Sequence, residues 1–245
     1  MAKTGKRKLA YVKEAESDFL DMVAHQLRGP LGGIRASASM LAGGDFGKLP
    51  AKAREAIMLI EDSATRLLSL SDSFLNASRL EVGKYESLRE PTNIHREIKT
   101  IVAEMKSAAS SKHLALEIKI IDVPTNAAID VEALRLVVFN LLDNAIKYTD
   151  AGTVELEATA TAKKLTIQVA DTGVGLSQGE MKQLFKKFHR GKNGHDKSVD
   201  GTGLGLFIVK RVVEAAGGDV TVVSDGPGKG STFRAWLPFS AVSHV

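Results

Sequence analysis

The fold of this 245-residue chain is decided by the stretch Asn140-Leu-Leu-Asp-Asn144-Ala-Ile-Lys147-Tyr148-Thr149. It overlaps the end of a strongly apolar run, Val131–Lys147, which follows Asp130 directly. An aspartate before such a run is a common helix N-cap, so we predict a helix over these residues. Asn140, Asn144 and Lys147 are spaced four and three residues apart and therefore share one face of that helix. Two amides and an ammonium on one face suit a hydrated Mg²⁺ and a polyphosphate; the alternative is an ordinary polar stripe that faces solvent.

Around this helix, helical and strand patterns alternate from residue 94 onward. We predict helices at Ile94–Ala109, Ser177–Phe188 and Gly203–Ala216, and strands at Leu114–Ile121, Val154–Ala160, Leu165–Ala170, Asp219–Ser224 and Ser231–Pro238. Helices and strands that alternate without strict βαβ order indicate one sheet covered on one face by helices, an α/β sandwich.

A second polar cluster, Asp171-Thr-Gly173-Val-Gly175, comes directly after a predicted strand. A carboxylate at a strand end can accept hydrogen bonds from an exocyclic amine, and the two glycines allow a flat ligand to approach the backbone closely. Taken alone, this cluster favours an ordinary turn.

Two further clusters flank the polar, glycine-containing residues 191–200, which are predicted to form a mobile loop between two helices. Before the loop stands Phe185-Lys-Lys-Phe188-His-Arg190, whose phenylalanines would ordinarily be core residues. After the loop stands Gly201-Thr202-Gly203-Leu204-Gly205-Leu206, which opens a predicted helix and can expose backbone N–H groups to a phosphate. A dinucleotide-binding fingerprint is excluded, because no strand precedes these glycines and their spacing is G-x-G-x-G.

The first third of the chain has a helical pattern. Apolar residues recur at spacings of four and three from Leu20 to Leu41, and a second helical stretch follows the turn residues 43–50. Two such helices predict an antiparallel hairpin. A lone hairpin buries too little apolar surface, so we expect two copies to pair into a four-helix bundle and form a homodimer.

Charge and composition exclude several classes of protein. Five of the 33 basic residues and one of the 29 acidic residues lie in the first fourteen positions, so the net charge of +4 belongs to this tail. Nucleic-acid binding by the neutral remainder is therefore not expected. Cysteine is absent, which excludes disulfides and thiolate metal sites. No run approaches about 18 uncharged apolar residues, so we expect no membrane segment in this chain.

Together, the four clusters resemble the N, G1, F and G2 boxes of sensor histidine kinases, in the family's order and approximate spacing. The run Gly230-Ser231-Thr232-Phe233 is similar to the ending of the same domain. The resemblance covers about residues 94–240. It implies the ATP-binding fold shared with DNA gyrase, with a mixed five-stranded sheet and three helices, and it implies ATP and Mg²⁺ as cofactors.

The resemblance also implies a role for each box. Asn144, with Asn140 helping, would bind Mg²⁺, and Lys147 would bind phosphate. Tyr148 would lie against the nucleotide, and Asp171 would accept a hydrogen bond from the adenine amine. The other nucleotide-binding positions implied are Gly173, Gly175, Phe188, Arg190, Gly201, Thr202, Gly203, Leu204, Gly205 and Ser231.

The hairpin resembles the phosphoacceptor domain of the same family, on the sequence Phe19-Leu-Asp-Met-Val-Ala-His25-Gln26-Leu-Arg-Gly29-Pro-Leu31. His25 would be the phosphoacceptor, one residue past the apolar stripe and facing solvent. Family members commonly carry an acidic base directly after this histidine. This chain has Gln26 there, which can orient the imidazole but cannot accept its proton.

The fold class expected from these features is α+β, with a dimerising helical hairpin followed by an α/β sandwich that binds ATP. The expected domains are a basic tail (1–14), the hairpin (15–82), a connector (83–93) and the ATP-binding domain (94–245). The resemblance implies ATP-dependent autophosphorylation of His25 and transfer of the phosphoryl group to an aspartate of a response-regulator receiver domain. We expect the chain to be cytoplasmic, alone or as the soluble part of a larger or membrane-attached sensor. The alternatives are a non-catalytic nucleotide-binding scaffold and an ATPase or serine kinase of the same fold.

Overall fold

The structure is a computed structural model that describes Met22 and residues 26–81, 85–189 and 203–241. The chain divides into two compact units, Met1–Lys84 and Tyr85–Val245. Within the described ranges, none of the helices combines the length and the hydropathy that crossing a bilayer requires.

The described part of the first unit contains two helices, α1 (residues 26–43) and α2 (Ala51–Glu81). The two helices confirm the predicted helical region. Among the described residues of this unit, Ala38 and Ala64 are buried, whereas Leu27, Ile34 and Ile60 are 47–50% exposed. One copy of the hairpin therefore leaves much of its apolar stripe uncovered.

Seven strands lie within residues 85–189 and 203–241 of the second unit. In chain order they are β1 (Arg89–Asn93), β2 (Ala115–Ile121), β3 (Asn126–Asp130), β4 (Thr153–Ala160), β5 (Lys164–Asp171), β6 (Asp219–Val223) and β7 (Ser231–Ala241). Five of them form a central mixed sheet in the order β2-β4-β5-β7-β6, in which only β2 and β4 are parallel. β3 pairs with the last residues of β7, and β1 pairs with β3. The predicted five-stranded sheet is confirmed as the centre of a larger one.

Three long helices cover one face of this sheet. They are α3 (Ile94–Ser111), α4 (Val131–Lys147) and α6 (Gly205–Ala215), while α5 (Gln178–Met181) is a single turn. Every second residue is buried along β4, namely Val154, Leu156 and Ala158, and β5 shows the same alternation. The core therefore lies between one sheet face and the helices, as in the predicted α/β sandwich. The bounds of α4 match the predicted helix.

The structure adds two short strands that the sequence pattern did not indicate. The last five residues of the predicted connector 83–93 form β1, and the five residues directly before α4 form β3. β1 contains Pro91 and only exposed or half-buried side chains, so it lacks the apolar alternation by which strands are recognised.

The predicted helix Ser177–Phe188 is wrong beyond its first turn. Ser177 and Glu180 form a capping box that starts α5, but the helix ends at Met181. Leu184 is the only fully buried side chain among residues 178–189, so little packing energy supports a longer helix. Phe188 has a φ of +57°, which is incompatible with a continuing right-handed helix.

Two side chains fix the beginning of α4. Asp130 is 4% exposed, and one oxygen of its carboxylate, Oδ1, accepts a hydrogen bond of 2.9 Å from the Ala133 N–H as the N-cap. The other oxygen, Oδ2, accepts a hydrogen bond of 2.8 Å from the hydroxyl of Tyr85. Burial raises the pKa of Tyr85 well above its usual range, and the hydrogen bond to Asp130 and the charges of Asp130 and Glu132 raise it further.

Tyr85→Phe should therefore change how the second unit responds to alkaline pH. The raised pKa means that the contribution of Tyr85 to the free energy of unfolding is complete below pH ~10 and is lost as pH rises further. At pH 8 the variant should be less stable than the wild type by about 1 kcal/mol, the usual contribution of such a hydrogen bond. Urea unfolding followed through Trp236, the single tryptophan, measures this difference at pH 8 and pH 11. The free energies of unfolding of the two proteins should become equal at pH 11. A difference that is the same at pH 8 and pH 11 would contradict the stabilising role of the Tyr85 hydroxyl.

Candidate functional site

The polar face of α4 carries the predicted metal and phosphate ligands. The Asn140 side chain donates a hydrogen bond of 2.8 Å from Nδ2 to the carbonyl of Leu136. The carboxamide of half-buried Asn144 makes no hydrogen bond within the described ranges, so it is available to a ligand. Lys147 Nζ lies 2.5 Å from Asp143 Oδ2, one turn earlier on the helix. In this ligand-free structure, the predicted phosphate-binding lysine is therefore paired with a carboxylate.

The beginning of α6 packs directly on this face. A Cβ atom added to Gly205 would lie 2.7 Å from Asn140 Oδ1, so the Asn140 amide would have to shift. Glycine at this position thus places the start of α6 against the Asn140 amide without displacing it. Because α6 starts at Gly205, its N-terminal N–H groups lie next to the amide face of α4.

The turn after β5 lies against the C-terminal end of α4. The Val174 N–H donates a hydrogen bond of 3.1 Å to the carbonyl of Tyr148, and a Cβ atom on Gly173 would collide with that same oxygen. Asp171 Oδ1 accepts from the Gly173 N–H at 2.9 Å, and Oδ2 accepts from the Ser231 hydroxyl at 2.5 Å. The carboxylate predicted to bind adenine is thus held on both oxygens by its own turn and by β7.

The predicted loop, residues 191–200, lies outside the described ranges, but two described residues on either side of it are in contact. The Phe188 N–H donates a hydrogen bond of 3.0 Å to the carbonyl of Gly203, although fourteen residues separate them. The Phe188 ring is 62% exposed, so it is available to a ligand, whereas Leu204 is 1% exposed and its side chain belongs to the core. Gly175 is buried against the carbonyl of Gly226 and supports the turn after β5.

Several predicted site residues lie outside the described ranges, namely His25, Arg190, Gly201 and Thr202. Gln26 is described and lies in α1 with an exposed side chain. Among the described residues, no group of three or more histidine, aspartate and glutamate side chains has the geometry of a metal site. The sequence analysis missed Asp143 as the partner of Lys147, although their i,i+4 spacing is a recognisable signal for an ion pair.

Family models match both units. The phosphoacceptor domain called His Kinase A matches residues 15–83, and the Histidine kinase-, DNA gyrase B-, and HSP90-like ATPase domain matches residues 129–241. The chain belongs to the sensor histidine kinase family. Similar relatives include an uncharacterized sensor-like histidine kinase of Rhizobium meliloti, 35% identical over 93% of this chain and 44% of the relative. The circadian input-output histidine kinase CikA of Synechococcus elongatus is 34% identical over 91% of this chain and 30% of its own length.

Solved histidine kinases share the fold. The crystal structure of full-length ShkA in complex with AMPPNP superposes with a TM-score of 0.73 at 30% identity, covering 93% of this chain and 47% of ShkA. The Acinetobacter baumannii kinase AdeS, at 19% identity and a TM-score of 0.60, supports the fold alone. The chain spans less than half the length of the Rhizobium meliloti relative and less than a third of the length of CikA.

The ion pair between Asp143 and Lys147 predicts that the carboxylate competes with nucleotide for Lys147. Asp143→Asn should lower the dissociation constant for ADP, because Lys147 is no longer paired and one repelling charge is removed. Partly exposed ion pairs contribute about 0.2–1 kcal/mol, which corresponds to a roughly 1.5- to fivefold effect.

Isothermal titration calorimetry with ADP and MgCl₂ measures this change. Glu104→Gln, on the exposed side of α3, removes the same charge at a distance and should leave the affinity unchanged. Weaker binding by Asp143→Asn would contradict competition and would mean that the carboxylate helps to hold the nucleotide.

Proposed function

We propose that this chain is an ATP-dependent protein-histidine kinase that phosphorylates itself on His25 and passes the phosphoryl group to an aspartate of a response-regulator receiver domain. One observation carries the proposal. The amide and lysine face of α4, the Asp171 turn and the glycine-initiated α6 lie in direct contact within one unit. A second unit of the same chain matches the phosphoacceptor domain.

Different residues of the site would bind different parts of the nucleotide. Asp171 would accept a hydrogen bond from the adenine amine, since a carboxylate has about four acceptor positions and Gly173 and Ser231 use two of them. Tyr148, the C-cap of α4, would lie against the nucleotide. Lys147 and the N–H groups at the start of α6 would bind the phosphates, together with Gly201, Gly203 and Arg190.

A magnesium ion fits the donor set. Asn144 offers an amide oxygen with no competing hydrogen bond among the described residues, and Asn140 presents Oδ1 toward the start of α6. Mg²⁺ prefers oxygen ligands and keeps several waters, so one or two amides and the phosphates suffice. When bound, it neutralises charge on the transferring phosphoryl group.

His25 would act as the nucleophile in its neutral form. An imidazole nitrogen attacks the γ-phosphorus, the bond to the β,γ-bridging oxygen breaks, and ADP leaves. The phosphorylated imidazole is a reactive donor. A carboxylate oxygen of the receiver domain next attacks the phosphorus, the phosphorus–nitrogen bond breaks, and the imidazole leaves in its neutral form with a proton from solvent. Gln26 would orient the imidazole by a hydrogen bond, while solvent takes the proton.

The hairpin would also form the homodimer. Leu27 and Ile34 on α1, and Ile60 and Leu67 on α2, are each 47–50% exposed and seven residues apart within each pair. A seven-residue repeat of apolar side chains is typical of helices that pack in a bundle, so a second hairpin is the expected partner. Because ATP is the substrate, we propose that this part of the protein acts in the cytoplasm.

Incubation with γ-³²P-labelled ATP and MgCl₂ tests the proposed reaction. The wild type should incorporate label that is stable in alkali and lost in acid, because phosphohistidine hydrolyses in acid. His25→Ala should incorporate none and should still bind ADP, since His25 belongs to the hairpin and not to the nucleotide site. Gln26→Glu should label faster, because a carboxylate can take the proton that glutamine cannot.

The other outcomes separate the alternatives. Label retained in His25→Ala would refute the assignment of His25 as the phosphoacceptor. Acid-stable label on serine would favour a serine kinase. Release of free phosphate without labelled protein would favour an ATPase. Nucleotide binding without turnover would favour a non-catalytic scaffold.

A further inference from the structure

The end of α4 is capped by a side chain from a distant part of the chain. The ammonium of Lys112 donates hydrogen bonds to the carbonyl oxygens of Ile146 at 3.0 Å, Lys147 at 2.8 Å and Thr149 at 3.2 Å. The last four carbonyls of a helix have no partner within the helix. An ammonium has three donors, so one lysine satisfies three acceptors and also opposes the negative end of the helix dipole.

The backbone that carries Lys112 is itself held in place. Lys112 is the C-cap of α3, and its N–H donates to the carbonyl of Ala109 at 3.2 Å. The Leu114 N–H donates to the same carbonyl at 3.0 Å, and Leu114 is buried. The ammonium therefore reaches α4 from a fixed turn and not from a mobile loop.

The three carbonyls that Lys112 binds belong to the same short segment as Lys147 and Tyr148 of the nucleotide site. Lys147 contributes one of them, and Tyr148 lies between Lys147 and Thr149. The Thr149 hydroxyl is fully buried and donates to the carbonyl of Ala145 at 2.7 Å, which closes the same turn. The turn after β5 also rests here, because the Val174 N–H donates to the Tyr148 carbonyl.

We propose that Lys112 is a positioning residue of the nucleotide site, which sets the backbone from which Lys147 and Tyr148 project. This inference rests on the proposed nucleotide site. Lys112 binds no phosphate itself, since its three donors are directed at α4. Its nearest carboxylate, Asp150 at 3.9 Å, is 93% exposed and contributes little. Loss of Lys112 therefore acts on nucleotide affinity through the end of α4.

Isothermal titration of the full chain with ADP and MgCl₂ tests the proposal. Lys112→Met keeps an unbranched side chain and removes the donors, so the dissociation constant should rise about tenfold, or ~1.4 kcal/mol. Lys112→Arg restores a cation with several donors and should bind within about threefold of the wild type, by the same conversion. Lys106→Met removes a lysine from the exposed side of α3 and should bind as the wild type does.

Thermal unfolding without nucleotide separates positioning from stability. All titrations are made well below the onset of unfolding of each variant, so that only folded protein is compared. A lower melting temperature with an unchanged dissociation constant would mean that Lys112 only stabilises the fold, and would overturn the proposal. If Lys112→Met does not fold, Lys112→Gln is titrated instead. Its shorter, uncharged amide has two donors for three carbonyls, so its dissociation constant should rise above that of Lys112→Arg, and wild-type affinity would overturn the proposal. A wild type that binds no ADP would refute the proposed nucleotide site itself.

Discussion

The position of α4 is the constraint on which the nucleotide site depends. At its beginning, buried Asp130 caps the helix and is held in turn by the hydroxyl of Tyr85. At its end, the Lys112 ammonium donates hydrogen bonds to three backbone carbonyls. Between the two caps, eight buried side chains pack the helix into the core. A helix held along its length and at both ends cannot slide or rotate without breaking these hydrogen bonds, so its polar face keeps one position.

The rest of the site is assembled on that face by close backbone contacts. Gly205 allows α6 to approach Asn140, and Gly173 allows the turn after β5 to lie on the Tyr148 carbonyl. A side chain at Gly173 would collide with the Tyr148 backbone, whereas one at Gly205 would displace the Asn140 amide, so glycine at each position is explained by distance. Asp171 is oriented by Ser231, a residue at the start of the neighbouring strand β7. The site thus combines segments that are far apart in sequence.

Features with a local cause could be predicted from the sequence. The bounds of α4 follow from an aspartate cap and a continuous apolar run, and the turn at Asp171 follows from glycines after a strand. The short strand β1 could not be predicted, because its five residues are mostly exposed and include Pro91. Lys112 was also missed, since its acceptors lie 34 to 37 residues later and only the fold brings them together.

Hydrogen–deuterium exchange of the full chain, with and without ADP and MgCl₂, tests most directly that α4 is the nucleotide-binding helix. Nucleotide should slow amide exchange in three segments together, which are the end of α4 (140–149), the turn at 171–175 and the start of α6 (203–208). The edge strand β2 should not change. Unchanged exchange in these segments, with protection instead in the groove between β1 and the starts of α3 and α4, would contradict the account.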